Sequence, residues 1–217
     1  MTVISEPAPA LSRQEQKERT REAILTAALS MTREQGFAQI SLRQVAREAG
    51  VVPTAFYRHF VSMEELGLAL VAQSFVTLRT MVRNALNEAQ ANPAAFANVI
   101  DASAEILVRT VKDHKADFGF IARERFGGQG VVREAIRREI DQFVNELAVV
   151  LGRLPNIDSW SVEDVHMVSR LFVRNLVSHA EDVVEIPDGR PDLEDKVRED
   201  ARREMRLIVL GFRDWKS

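Results

Sequence analysis

Apolar residues return every three or four positions along most of the chain, which is the spacing of one face of an α-helix. Ile24, Ala27, Ala28 and Met31 follow it and predict a helix over 14–35, which Gly36 ends. In 41–60, "SLRQVAREAGVVPTAFYRHF", two shorter patterns stand close together. Ser41 and Gln44 form a predicted capping box, and Leu42, Val45, Ala46 and Ala49 make the apolar face of the helix it opens. Gly50 supplies the C-cap, where a left-handed backbone costs glycine little. Pro53 sits at the first position of the next helix, with Phe56 and Phe60 on its inner side. Ser62 and Glu65 predict a second capping box, on a helix that runs to about Asn92, before Pro93. Further helices are expected at 94–112, 116–125, 130–151, 161–184 and 192–214. No stretch alternates as a strand does. The expected fold is all-α: a disordered tail at 1–12, a three-helix unit at 13–60 and a larger helical domain at 61–217.

Two helices joined across a glycine turn match a helix-turn-helix. The first helix braces the second, whose outer face must stay free to enter a major groove. Small Ala46 and Ala49 allow close approach, and Thr54, Ala55, Tyr57 and Arg58 lie near the outer and N-terminal surfaces of the second helix. Charge supports this reading. The chain as a whole carries −3, yet residues 13–60 hold eight Lys/Arg against five acids. A local positive excess points to a polyanionic partner. A helical protein-interaction adaptor is the rival reading, although it has no need of Tyr57, Arg58 and His59 beside a glycine turn.

Other classes find less support. The chain has no cysteine, which excludes disulfides and Cys-based zinc sites and fits a cytoplasmic protein. No apolar run approaches the roughly 18 residues of a membrane span, so no membrane association is expected. The sequence lacks a Gly-x-Ser-x-Gly elbow, a phosphate-binding Gly-x-x-x-x-Gly-Lys and a His-Glu-x-x-His. His59, His114, His166 and His179 are scattered, and Glu163 with His166 lacks the second pair a di-iron bundle needs. No catalysis, cofactor or metal is therefore expected.

The segment "SLRQVAREAGVVPTAFYRHFVSMEEL" resembles the DNA-binding signature of TetR-family transcriptional regulators. The shared positions are Ser41, Val45-Ala46, Ala49-Gly50-Val51, Phe56-Tyr57, His59-Phe60 and Leu66. Val52, Thr54 and Met63 depart from the Ser/Thr, Gly and Lys that many relatives carry there. The resemblance implies a homodimer that binds a palindromic operator in double-stranded DNA, most often as a repressor. Thr54, Ala55 and Arg58 are candidates for base contacts, and Tyr57, His59, Arg43 and Ser41 for phosphates; Arg13 and Lys17 form a possible arm beside the DNA.

"VPTAFYRHF…EELGLALV" and "ARERFGG…VREAIRREIDQFVNELA" are similar to the FabR/DesT-like, fatty-acid-responsive branch of that family. That similarity implies a small hydrophobic ligand, long-chain acyl-CoA first, with another hydrophobic molecule as the alternative. Candidate apolar lining is Phe75, Phe96, Phe118, Phe126, Phe143 and Phe172. Arg123 and Arg125, with Arg133, Arg137 and Arg138, flank "FGGQG" and could meet phosphates. His166, Arg170 and Asn175 fall on related turns of one helix. Leu171, Val177, Leu207, Ile208, Leu210 and Phe212 are expected to form a four-helix seam between two copies.

Overall fold

The computed structural model of the protein describes residues 12–91, 96–128, 130–154 and 157–217, without the side chains of 77, 81–91 and 96–99. Every regular element among these residues is helical. The helices are α1 (Arg13–Met31), α2 (Leu42–Glu48), α3 (Pro53–Phe56), α4 (Met63–Ala91), α5 (Phe96–Asp113), α6 (Lys115–Gly127), α7 (Gly130–Leu151), α8 (Val162–Glu185) and α9 (Pro191–Leu210). Helices α1–α3 form a head, and α4–α9 pack as a body.

The predicted caps account for several boundaries, with corrections. The expected tail, 1–12, lies outside the described residues except for Ser12. It caps α1 in a full box with Glu15. Ser41 and Gln44 form the box predicted for α2. At α4, the Ser62 hydroxyl accepts the Glu65 N–H, but the Glu65 carboxylate reaches the N–H of Val61 rather than that of Ser62. Gly50 adopts φ 68°, as its place after α2 requires. α1 stops at Met31, four residues early. The chain then turns and forms a short 3-10 segment at Phe37–Gln39 that periodicity did not reveal.

That 3-10 segment places Phe37, a residue of the head, inside the body. Its ring meets Phe120 of α6 edge-on, with centroids 6.0 Å apart. On α4, Gly67 lies so close that a β-carbon there would come within 2.7 Å of Phe37 and of Val132 on α7. One apolar cluster accordingly runs from Ile24, Val45, Phe56 and Phe60 in the head through Leu66 and Leu70 to Phe75, Ile136 and Phe143 in the body. The hydrophobic core does not pause at residue 60. Two smaller clusters lie farther out. One joins Ile100, Phe172 and Met205, and the other joins Val108, Phe118 and Val183.

Overpacking a filled core typically costs about 1–3 kcal/mol, because neither an aromatic ring nor a β-branched side chain can withdraw freely. Gly67→Ala is expected to lower unfolding stability by about that amount, read as a shift of the urea midpoint at constant slope. An unchanged midpoint would show that Phe37 is not wedged against α4.

Candidate nucleic-acid interface

The head is built to expose one surface. α2 buries Val45 and Ala46, and α3 packs against it through Phe56, which is fully buried. Phe60, 2% exposed, fixes the far end of the turn. Its ring and that of Phe56 lie 5.7 Å apart, and the guanidinium of Arg21 on α1 lies 5.2 Å from the Phe60 centroid. Regular α-helix in the second element is shorter than expected, ending at Phe56 rather than near Phe60. Residues 57–60 continue as a tight turn, in which the N–H groups of His59 and Phe60 both donate to the Phe56 carbonyl. Val52 offers no side-chain cap, and Pro53 at the start presets the backbone in its place.

With Phe56 and Phe60 inside, the intervening residues turn outward. Tyr57 is 61% exposed although its neighbour Phe56 is fully buried. Thr54 and Arg58 are exposed, and Ala55 and His59 are half-buried. Ser41 and Arg43 are exposed at the start of α2. The Ser41 hydroxyl already donates to Gln44 Oε1 at 2.6 Å, so a phosphate would compete with the capping box for it.

His59 connects this face to α1. Its Nδ1 is buried and has no hydrogen-bond partner among the described residues. Burial holds its pKa below the ordinary value, and the charges of Lys17, Arg21 and Arg58 add to the effect against an opposing contribution from Glu18. The imidazole is thus neutral near pH 7 and lies beside cations. Lys17 was legible as a possible arm residue, but Arg21 was not singled out. Its placement one helical turn after Lys17, on the same face, was the available signal.

The ligand candidates are distributed over the body. Phe75 and Phe143 come together, with centroids 5.8 Å apart, and Arg79 lies 5.7 Å from the Phe143 centroid. Phe118 and Phe172 belong to the two other clusters, so these four rings do not line one space. Phe126 is exposed, with the Arg125 guanidinium 4.4 Å from its centroid. Arg125 also pairs with Glu181 at 3.3 Å. Arg123 turns away from the body toward α1, where it donates to the carbonyls of Thr32 and Arg33. The side chain of Phe96 lies outside the described residues. On α8, His166 is half-buried and Arg170 exposed, whereas Asn175 bonds Glu204 of α9. A cleft of about 350 Å³ opens between Lys112, Lys115, Ile186 and Glu194, and none of the ligand candidates lines it.

The expected seam residues divide. Leu207 and Leu210 are 71% and 72% exposed, and Leu171 is exposed as well. Val177, Ile208 and Phe212 pack within their own chain, Phe212 edge-on against Trp160 and Phe172. No helix among the described residues is long and apolar enough to cross a membrane.

Residues 24–70 match the model of the "Bacterial regulatory proteins, tetR family". The match begins inside α1 and ends in α4, so it covers the head from the latter part of α1 onward and the first turns of α4. The whole all-α fold, with a TetR-type helix-turn-helix head and a helical C-terminal body, is also that of solved TetR structures. One, a TetR-family transcriptional regulator from Streptomyces coelicolor, is 19% identical over 91% of this chain and 96% of its own, with a TM-score of 0.66. Another, the fatty acid degradation regulator FadR from Bacillus halodurans, is 14% identical over 87% and 94%, with a TM-score of 0.66. A third, AibR in complex with isovaleryl coenzyme A and operator DNA, is 16% identical over 84% and 96%, with a TM-score of 0.63.

The His59 environment gives a pH test. The unfolded chain binds a proton at His59 more readily than the folded TetR-type head does, so its share of stability is present above about pH 6.5 and is lost as pH falls through the lower folded value. Urea unfolding from pH 5 to 8 is expected to show wild-type stability rising with pH more steeply than that of His59→Gln. Parallel curves would contradict the buried, cation-flanked site.

Proposed function

We propose that this protein is a sequence-specific, ligand-responsive regulator of transcription, acting as a repressor, that binds a palindromic operator as a homodimer. Residues 13–60 are assigned to DNA binding and 61–217 to dimerisation and ligand sensing. The observation that carries this reading is the opposite orientation of Phe56 and Tyr57. A buried anchor and an exposed aromatic in adjacent positions leave Thr54, Tyr57 and Arg58 free on a braced face. The match of residues 24–70 to the tetR family supports the same reading.

Thr54, Ala55 and Arg58 are assigned to base edges, where an Arg fork on guanine contributes roughly 1–3 kcal/mol of discrimination. Tyr57, His59, Arg43 and Ser41 are assigned to phosphates, His59 as a neutral imidazole, and Lys17 and Arg21 supply a positive edge beside them. One short recognition element offers few contacts, and two heads about one helical turn apart bring specific affinity within reach. The exposed Leu171, Leu207 and Leu210 are the surface proposed to meet a second copy.

The ligand is proposed to be a small hydrophobic molecule, with an acyl-CoA of the fatty-acid-responsive branch as the first candidate. Support comes from Phe75 and Phe143 in the body and from two similar folds, one described with a fatty-acid role and one with a bound acyl-CoA. The ligand acts only through unequal affinity for the DNA-competent and incompetent states.

Duplexes selected from a random pool by the purified protein are expected to contain an inverted repeat. Tyr57→Ala is expected to weaken binding to selected and scrambled duplexes alike. Arg58→Ala is expected to lose about tenfold or more on the selected duplex alone, judged by fluorescence anisotropy at fixed salt. Failure to select any duplex would favour the adaptor reading. Oleoyl-CoA and palmitoyl-CoA titrated into the protein–duplex complex are expected to change its affinity; no response to either would redirect the ligand assignment to other hydrophobic molecules.

A further inference from the structure

Two adjacent side chains of α6 hold the two ends of one turn in the head. Arg123 Nη1 donates to the Thr32 carbonyl at 2.7 Å and Nη2 to the Arg33 carbonyl at 3.3 Å. Thr32 is the C-cap of α1, where unpaired carbonyls give the helix end its partial negative charge. Five residues after Thr32, the Phe37 N–H donates to Glu124 Oε1 at 2.9 Å, at the start of the 3-10 segment. A cation thus takes the carbonyl end of one element and a carboxylate takes the amide start of the next. Hydrogen bonds with a charged partner are as a class stronger than neutral ones, and the Arg123–Thr32 bond is also short.

Glu124 is 2% exposed. It is crowded from behind by Gly128, where a β-carbon would come within 2.6 Å of Oε2 and 2.5 Å of the Glu124 carbonyl. Packing alone would be served as well or better by an apolar side chain, because burying a carboxylate is costly. What the carboxylate adds is direction: its bond to the Phe37 amide fixes where the 3-10 segment lies along α6. The other end of α6 is also tied down, by Lys115 Nζ donating to the Ile186 carbonyl at 2.6 Å beside the 350 Å³ cleft. α6 is therefore a short strut between that cleft and the head.

Building on the DNA-binding reading above, we infer that Arg123 and Glu124 form a positioning pair that sets the orientation of the head on the body. They thereby set the half-site spacing that the dimer accepts. Neither side chain touches DNA in this scheme. Both act through the Thr32–Phe37 turn, which carries α1 and, through the shared core, α2 and α3.

The test uses the full-length protein and its selected duplex, together with duplexes whose half-sites are moved apart or together by one to three base pairs, and a duplex with a single half-site. Wild type is expected to bind best at one spacing and to fall off steeply on both sides. Arg123→Met, a change at an exposed side chain, is expected to bind the single half-site as wild type does, to lose roughly tenfold at the best spacing, and to show a flattened spacing profile. Glu124→Ala is expected to behave likewise, and Glu124→Gln, which keeps an acceptor for Phe37, to restore the wild-type profile. Should Glu124→Ala fail to fold, Arg123→Met still decides.

Amide exchange provides an arm without DNA. Phe37 is expected to exchange faster in Glu124→Ala, and slowly in wild type and in Glu124→Gln. An unchanged spacing profile in Arg123→Met, equal losses on single and paired half-sites, or equal Phe37 protection in wild type and Glu124→Ala would each overturn the pair's role. If the wild type selected no duplex, the DNA-binding reading would fail, and the positioning role with it.

Discussion

Phe37 belongs to the head by sequence and to the body by packing. Its ring fills the space between Gly67, Phe120 and Val132, and its amide is held by Glu124. Interiors are packed so densely that such a wedge transmits position rather than absorbing it. Arg123 secures the preceding helix end, and α4 continues from the head into the body through Leu66 and Leu70. The outward face of Thr54, Tyr57 and Arg58 is thus oriented by the whole molecule and not only by its own three helices. In the proposed dimer, presenting two such faces at one spacing needs this rigidity.

Electrostatics divide along the same line. The net charge of the chain is negative, but the head gathers Lys17, Arg21 and Arg58 around His59 in its exposed turn. A concentrated positive edge on a negative body favours one orientation of approach to a polyanion, because the local field rather than the total charge steers association. His59 stays neutral in this setting, since burial and flanking cations both oppose its protonation. The body's ion pairs, among them Arg125 with Glu181 and Lys112 with Glu194, join its own helices.

Much of the fold was legible in the sequence because helices carry local signals. Caps at Ser41 and Ser62, the left-handed Gly50 and the first-turn Pro53 each act within a few residues of themselves. The exposed and buried positions of α3 follow from the same short-range logic. The Phe37–Gln39 segment was not legible. Three residues have no periodicity, and their partners Phe120 and Glu124 lie more than eighty residues away. Arg123 illustrates the same limit. Its neighbours in sequence suggested a cationic patch for a ligand, whereas its partners in space are the backbone carbonyls of Thr32 and Arg33, just past the end of α1. The phenylalanines of the body read as one apolar lining, yet Phe75 with Phe143, Phe172 and Phe118 fall in three separate clusters and Phe126 is exposed, because composition reports how much apolar surface must be buried and not where.

The central claim is that head and body form one mechanical unit through Phe37. Native-state amide exchange as a function of denaturant tests it most directly. The claim predicts that Val45 and Phe56 in the head and Ile136 in the body open with the same free energy and the same denaturant dependence. Opening of the head amides at markedly lower free energy, while Ile136 remains protected, would contradict it.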